Sequence, residues 1–191
     1  APLVAHPDVR RVCFTGSVNG GKRIMEMASK SLTRVTLELG GNDPAIVLGD
    51  VDPKAVAKKL FASALENCGQ VCTAIKRVYV PEELYASVVD ELAELANAIV
   101  VGNGEQPGVE LGPINNKPQF ERVKELVEDA RSHGARIVTG GRTIGDKGYF
   151  YAPTIVADIA EGTRLGDEEQ FGPALQGFAA GQYDVVIAAN V

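Results

Sequence analysis

Short apolar runs closed by glycine or proline alternate along this chain with segments of helical spacing, and few folds accommodate that alternation. Arg11-Val12-Cys13-Phe14-Thr15 reads as a buried strand ending at Gly16-Ser17. From about Gly21, the positions Ile24, Met27 and Ala28 follow helical spacing. Val35, Leu37 and Leu39 then alternate with Thr36 and Glu38, as in a strand, until Gly40-Gly41 stops the run. Pro44 to Leu48 predicts a second buried strand. Asp52-Pro53 supplies an N-cap and a proline at the first helical position, ahead of an apolar face of Val56, Leu60, Phe61 and Ala64.

The pattern continues through a strand at Arg77 to Val80 and a helix opened by Pro81-Glu82-Glu83, whose acids suit its positive end. Leu84, Val88, Leu92, Leu95, Ala96 and Ile99 form its buried stripe. A glycine- and proline-rich loop, Gly102 to Pro113, precedes a helix from Pro118 to His133-Gly134. Further strands are expected at Arg136 to Thr139 and Ala174 to Phe178, an extended segment at Tyr149 to Val156, and a last helix at Tyr183 to Asn190. Strands alternating with helices of this length imply an α/β fold, a mainly parallel sheet flanked by helices.

Composition narrows the function. The 191 residues, 45% of them apolar, suit one ordinary domain, or one domain and a piece of another. With 19 basic and 25 acidic side chains the net charge is -6, and no basic stripe is present, which argues against a nucleic-acid partner. No segment approaches the roughly 20 apolar residues that span a bilayer, and the N-terminus lacks the basic and apolar regions of a signal peptide. Three cysteines do not form a disulfide framework, so a reducing, cytoplasmic setting is expected.

Two segments can carry chemistry. Cys72 sits in Asn67-Cys68-Gly69-Gln70-Val71-Cys72-Thr73-Ala74, a glycine-containing turn ahead of a strand. Backbone N–H groups converging there can raise its thiolate fraction and hold an oxyanion. The same residue also fits a buried structural cysteine. Cys68 and Cys72 make a weak redox or metal pair, because no second pair exists and both histidines lie far off in sequence; no metal site is expected. Cys13, inside an apolar strand, is assigned to the core and expected to be protected. Glu38 ends its strand on the polar side. It fits a solvated carboxylate, or, beside Gly40-Gly41, a partly desolvated general base. Phe14-Thr15-Gly16-Ser17-Val18-Asn19-Gly20-Gly21 joins a strand to a helix, as turns that hold phosphate do. Glu168-Glu169-Gln170-Phe171-Gly172-Pro173 reads locally as an acidic turn with one anchoring aromatic.

Glu38-Leu39-Gly40-Gly41, Gly69-Gln70-Val71-Cys72, Phe14-Thr15-Gly16-Ser17 and Glu169-Gln170-Phe171-Gly172-Pro173 together resemble the motifs of the NAD(P)-dependent aldehyde dehydrogenase superfamily. That resemblance implies Cys72 as nucleophile and Glu38 as the base that activates water. It implies cofactor contacts by Gly16 and Ser17 on the diphosphate, by Leu39, by Glu169 on the nicotinamide ribose and by Phe171 on the nicotinamide ring. NAD or NADP would be the cofactor and a small aldehyde the substrate, oxidised through a thiohemiacetal and a thioester, in a homo-oligomer. The Glu38 to Pro44 stretch is similar to the branch that oxidises semialdehydes and other small aldehydes. Asn42 stands where the family has lysine, and Val18-Asn19 where it often has Thr-Glu. Asn115 and Lys117 echo a family Gly-Pro loop as structure.

The same resemblance implies that residues 1–40 are the C-terminal part of a dinucleotide-binding domain. Residues 41–191 would then be a catalytic domain incomplete at its C-terminus. The chain is therefore expected to be a fragment, and by itself it could be a non-catalytic, self-associating module.

Overall fold

The computed structural model describes residues 2–160 and 162–179. The expected helix from Tyr183 to Asn190 lies outside them. The chain divides into two compact units, Ala1–Gly41 and Asn42–Val191.

The first unit is a single β-α-β turn of chain. Strand β1 (Arg11–Thr15) runs parallel to β2 (Arg34–Glu38), with helix α1 (Val18–Ser29) crossing between them. The helix starts three residues before the expected Gly21 because Ser17 caps it: the Ser17 Oγ accepts the Gly20 N–H at 3.1 Å. Alternate residues of each strand, Val12 and Phe14, Val35 and Leu37, are half-buried, while those between face solvent. Cys13 is one of the exposed set. It is therefore not a core residue: its strand phase places it with the solvent-facing residues of this two-stranded sheet.

The second unit is a five-stranded sheet in the order β3-β4-β7-β6-β5. Strands β3 (Asp43–Ile46), β4 (Ile75–Val80), β6 (Thr154–Ala157) and β7 (Ala174–Ala179) are parallel, and β5 (Arg136–Thr139) pairs antiparallel with β6. Helices α2 (Pro53–Leu65), α3 (Glu82–Ala98) and α4 (Lys117–Ser132) flank it, with a one-turn helix α5 (Arg164–Asp167) before β7. Asp52 caps α2 as its sequence suggests, accepting the Ala55 N–H at 3.0 Å, and Asn116 does the same for α4 through Gln119 N–H.

Leu60, Phe61 and Ala64 of α2 and Val88 and Leu92 of α3 pack with Val78 and Val80 of β4. A second cluster joins Phe120, Val123 and Val127 of α4 to Ile114, Tyr151 and Ala174. The expected buried strand at Pro44 to Leu48 is instead an edge: among the described residues it pairs on one side only, and Ile46 and Leu48 are 48% and 67% exposed.

Candidate active site

In the first unit the residues of interest gather at the carboxyl ends of β1 and β2, where parallel α/β units bind ligands. Thr15 pairs with Glu38 across the two strands, and the Gly16 N–H donates to the Glu38 carbonyl at 3.0 Å. Ser17 follows directly at the start of α1, where the first amides of a helix have no intrahelical acceptor and favour an anion. The turn is tight. A β-carbon on Gly16 or Gly20 would stand 2.7 or 2.8 Å from the Phe14 ring. Leu39 lies against α1, within 2.7 Å of where Gly21 would carry a β-carbon. Glu38 is exposed.

The second unit holds the other motif residues in two turns that enter neighbouring parallel strands, β4 and β7. After α2 the chain makes three consecutive left-handed residues, Asn67 at φ 48°, Cys68 at φ 59° and Gly69 at φ 71°. This reversal aims Cys68 inward and brings Cys72 back to the surface. Cys72 is exposed, whereas Cys68 is buried in the cluster beneath α4. Burial pushes the Cys68 thiol up to about 11, against the pull of the Lys76 charge. The two thiols therefore occupy unlike environments, and Cys68 belongs to the core.

Gln70 explains why this motif needs an amide. Its Nε2 donates to the Asn67 carbonyl at 3.1 Å, and its Oε1 accepts the Asn115 N–H at 2.8 Å. Asn67 answers with its Nδ2 on the Gln70 carbonyl at 3.2 Å. A carboxylate at position 70 could accept but not donate. The turn from Val71 to Ala74 closes with a 3.1 Å backbone bond.

The second turn, Glu168 to Pro173, is held from α4. Gln119 Nε2 donates to the carbonyls of Gln170 and Phe171, and Arg122 Nε to that of Glu169 at 3.1 Å. Arg122 also meets the Glu168 carboxylate at 3.2 Å, as does Arg164 at 2.8 Å, and the Arg164 bonds hold that carboxyl below its ordinary range. These grips fix Phe171 at φ 47°, a left-handed conformation that costs a non-glycine residue energy. Glu169 and Phe171 are both half-buried.

One residue outside the sequence motifs links the two turns. Lys76, wholly buried on β4, donates from Nζ to the carbonyls of Gly69 at 2.6 Å and Gly172 at 3.0 Å. Burial brings its amine down to about 8, with Glu169 and then Cys68 acting in the opposite sense. The signal for it in the sequence is phase, since Lys76 alternates with Val78 and Val80 on the inward face of β4. Asn42 is structural within the second unit. Its Nδ2 donates to the Gly166 carbonyl at 2.7 Å, and its own carbonyl accepts Arg77 Nε at 2.8 Å.

Three comparisons bear on this arrangement. The model of the aldehyde dehydrogenase family matches residues 1–190. Lactaldehyde dehydrogenase of Escherichia coli is 41% identical over 91% of this chain, and its crystal structure superimposes with a TM-score of 0.89 over 93% of the chain. A mutant aldehyde dehydrogenase C of Pseudomonas syringae, solved with NAD+ and octanal, gives a TM-score of 0.88 at 34% identity over 93% of the chain. A probable succinate-semialdehyde dehydrogenase [NADP(+)] of Sinorhizobium fredii is 37% identical over 90% of the chain. The chain spans about a third of the length of these relatives, 36% and 35% for the two compared by sequence.

Proposed function

Since the chain belongs to the aldehyde dehydrogenase family, we propose that it carries the nucleophile, the base and part of the cofactor site for oxidising a small aldehyde to a carboxylic acid. The observation behind this reading is that Lys76 joins the turn bearing Cys72 to the turn bearing Glu169 and Phe171. Residues 1–40 would be the end of the dinucleotide-binding domain and residues 41–191 most of the catalytic domain. The division of the chain after Gly41 supports that partition.

The described residues fit a nicotinamide dinucleotide. The glycine-serine turn at the start of α1 suits a diphosphate, with Gly16 and Ser17 supplying backbone close to it and Leu39 packed beside it. Glu169 offers a carboxylate for ribose hydroxyls, and Phe171 an aromatic face for the nicotinamide ring. Bound NAD or NADP supplies the acceptor for the hydride that leaves the reacting carbon.

The chain's own residues do the rest. Cys72 Sγ attacks the aldehyde carbon as the carbonyl electrons move to oxygen, forming a thiohemiacetal anion that backbone N–H groups of the turn stabilise. Loss of hydride leaves a thioester on Cys72. Glu38 takes a proton from water as that water attacks the thioester, and the Cys72 thiolate departs from the carboxylic acid. In a full-length context, Cys72→Ala should abolish oxidation, while Glu38→Gln should leave a burst of acyl-enzyme and slow turnover. Normal dehydrogenase activity in Cys72→Ala would end this assignment.

Semialdehydes and other small aldehydes are the proposed substrate class, a reading supported by the Glu38 to Pro44 stretch. A panel of short, aromatic and carboxylated aldehydes on the full-length enzyme decides it, and equal rates would remove the preference. The three free thiols of the described residues fit a reducing cytoplasm.

A second reading concerns the chain by itself. Among the described residues β3 pairs on one side only, and Ile46 at its end and Leu48 just beyond it are exposed; uncovered edges of this kind recruit further strands. With part of the cofactor site, the isolated chain would bind NAD weakly and associate with its own copies. Gel filtration at rising concentration should show growing oligomers, and a persistent monomer would count against association.

A further inference from the structure

Lys76 takes no part in the proposed chemistry, yet among the described residues it heads the fully buried side chains by volume. An ammonium withdrawn from water requires partners that replace its hydration. The partners here are two carbonyls far apart in sequence, Gly69 in the turn before β4 and Gly172 in the turn before β7. Neither turn can slide past the other, because their backbones are in contact at these glycines. α4 closes the outer side: a β-carbon on Gly172 would stand 2.4 Å from Val123 Cγ2.

Resting on the reading of Cys72 as nucleophile and Phe171 as nicotinamide contact, we propose that Lys76 is the positioning residue that locks these two turns into one unit. The thiol and the aromatic ring are then set relative to each other by a single buried clamp. Lys76 touches neither reacting atom and is not a catalytic residue.

The clamp is sensitive to pH. The titratable groups acting on the ammonium are Glu169, from the turn before β7, and Cys68, from the turn after α2, while α4 presents the apolar Val123 beside Gly172. Burial leaves the amine losing its proton at about 8. Opening the turns would return the amine to water and to its ordinary 10.5, so the open form holds the proton more tightly, and shedding it above about 8 relieves the cost of burying a charge in the closed form. Both turns should therefore close more firmly together as the pH rises above that value.

Amide hydrogen exchange on the 191-residue chain tests this, read on peptides 66–74 and 168–174 and normalised to α3 in the same molecule. In the wild type both peptides should gain protection, relative to α3, in one shared step that begins near pH 8, by up to about tenfold over the first pH unit, as expected when a local cooperative unit sheds its buried proton. Lys76→Arg keeps its charge throughout and should remove the step. Lys76→Met should expose both turns at neutral pH, again by about tenfold, with no further step. The proposal is overturned if only one turn responds to Lys76→Met, or if the two turns gain protection at different pH values. Should neither variant fold, the wild-type series decides alone, and the absence of a shared step overturns it. Iodoacetamide labelling of the same wild-type samples separates the two readings. Slow labelling of Cys72 alongside a shared step would sink the nucleophile and leave the clamp, whereas fast labelling without the step would do the reverse.

Discussion

Gly69 approaches Gly172 so closely that a β-carbon on it would stand 2.2 Å from the Gly172 carbonyl oxygen, with Gly69 itself at φ 71°. The glycine of the Gly-Gln-x-Cys motif is therefore required twice, for its backbone conformation and for the contact it permits. Gly69→Ala should lower stability by about 2–4 kcal/mol, the sum of left-handed strain and overpacking against backbone. Urea denaturation measures it. An unchanged midpoint would mean that the two turns can separate freely.

Removing the Gln70 amide should loosen the Cys72 turn without unfolding the sheet. Gln70→Ala deletes one bond to the Asn67 carbonyl and one from the Asn115 N–H. Because the site is only half-buried, a loss of about 1 kcal/mol is expected. Gln70→Glu should restore the acceptor and not the donor, giving an intermediate loss. Equal stability of the three proteins would remove Gln70 as the brace of this turn.

The three thiols should react in a fixed order. Cys72 and Cys13 are exposed, and Cys68 is buried with its thiol pushed up to about 11. Brief iodoacetamide labelling at neutral pH, ranked by mass spectrometry, should mark Cys72 first and Cys13 next. Cys68 should be slower by about a hundredfold or more, since burial and a scarce thiolate both oppose it. Labelling of Cys68 at the rate of Cys13 in the folded chain would contradict the buried position.

Stability should climb as the pH rises from about 8 through Lys76, and Cys68 should check the climb. The Lys76 amine titrates at about 8 in the fold against an ordinary 10.5, so between these values the unfolded chain holds more protons and rising pH favours the fold. The slope is at most about 1.4 kcal/mol per pH unit for one proton. Cys68 acts in the opposite sense: its thiol keeps its proton to about 11 rather than 9.0, so stability drains over that interval. Denaturation midpoints from pH 7 to 11 should lose the rise in Lys76→Met and lose the later fall in Cys68→Ala. A rise that persists in Lys76→Met would assign it to another group.

Local rules made much of this architecture readable. Asp52-Pro53 marks the start of α2 because cap and proline act within one turn, and the alternation from Val35 to Leu39 marks β2 because its side chains take opposite faces. What depends on distant chain was not readable. Pro44 to Leu48 has the composition of a central strand, but its place at the edge is set by which strands pair elsewhere. Cys13 looks like core because its neighbours are apolar, yet among the described residues the two-stranded sheet of the first unit leaves it facing solvent. The four-residue α5 is too short to leave a period. Lys76 fell outside the expected strand at Arg77 to Val80. Two more residues at its start, Ile75 and Lys76, reveal the lysine in phase with Val78 and Val80. The motif residues themselves stood out in the sequence, while the groups that brace them, Gln119, Arg122 and Lys76, did not, because each acts on carbonyls that any residue could supply.

The bond from Lys76 to the Gly172 carbonyl spans 96 residues of chain. At translation rates of about 5–20 residues per second, the Cys72 turn emerges roughly 5–20 s before the segment that completes its clamp has been made. Over that interval the nascent polypeptide presents its thiols with only half of their scaffold. The order of synthesis thus makes this turn one of the last parts of the second unit to mature, and oxidants or electrophiles meeting the chain on the ribosome would find it at its most vulnerable.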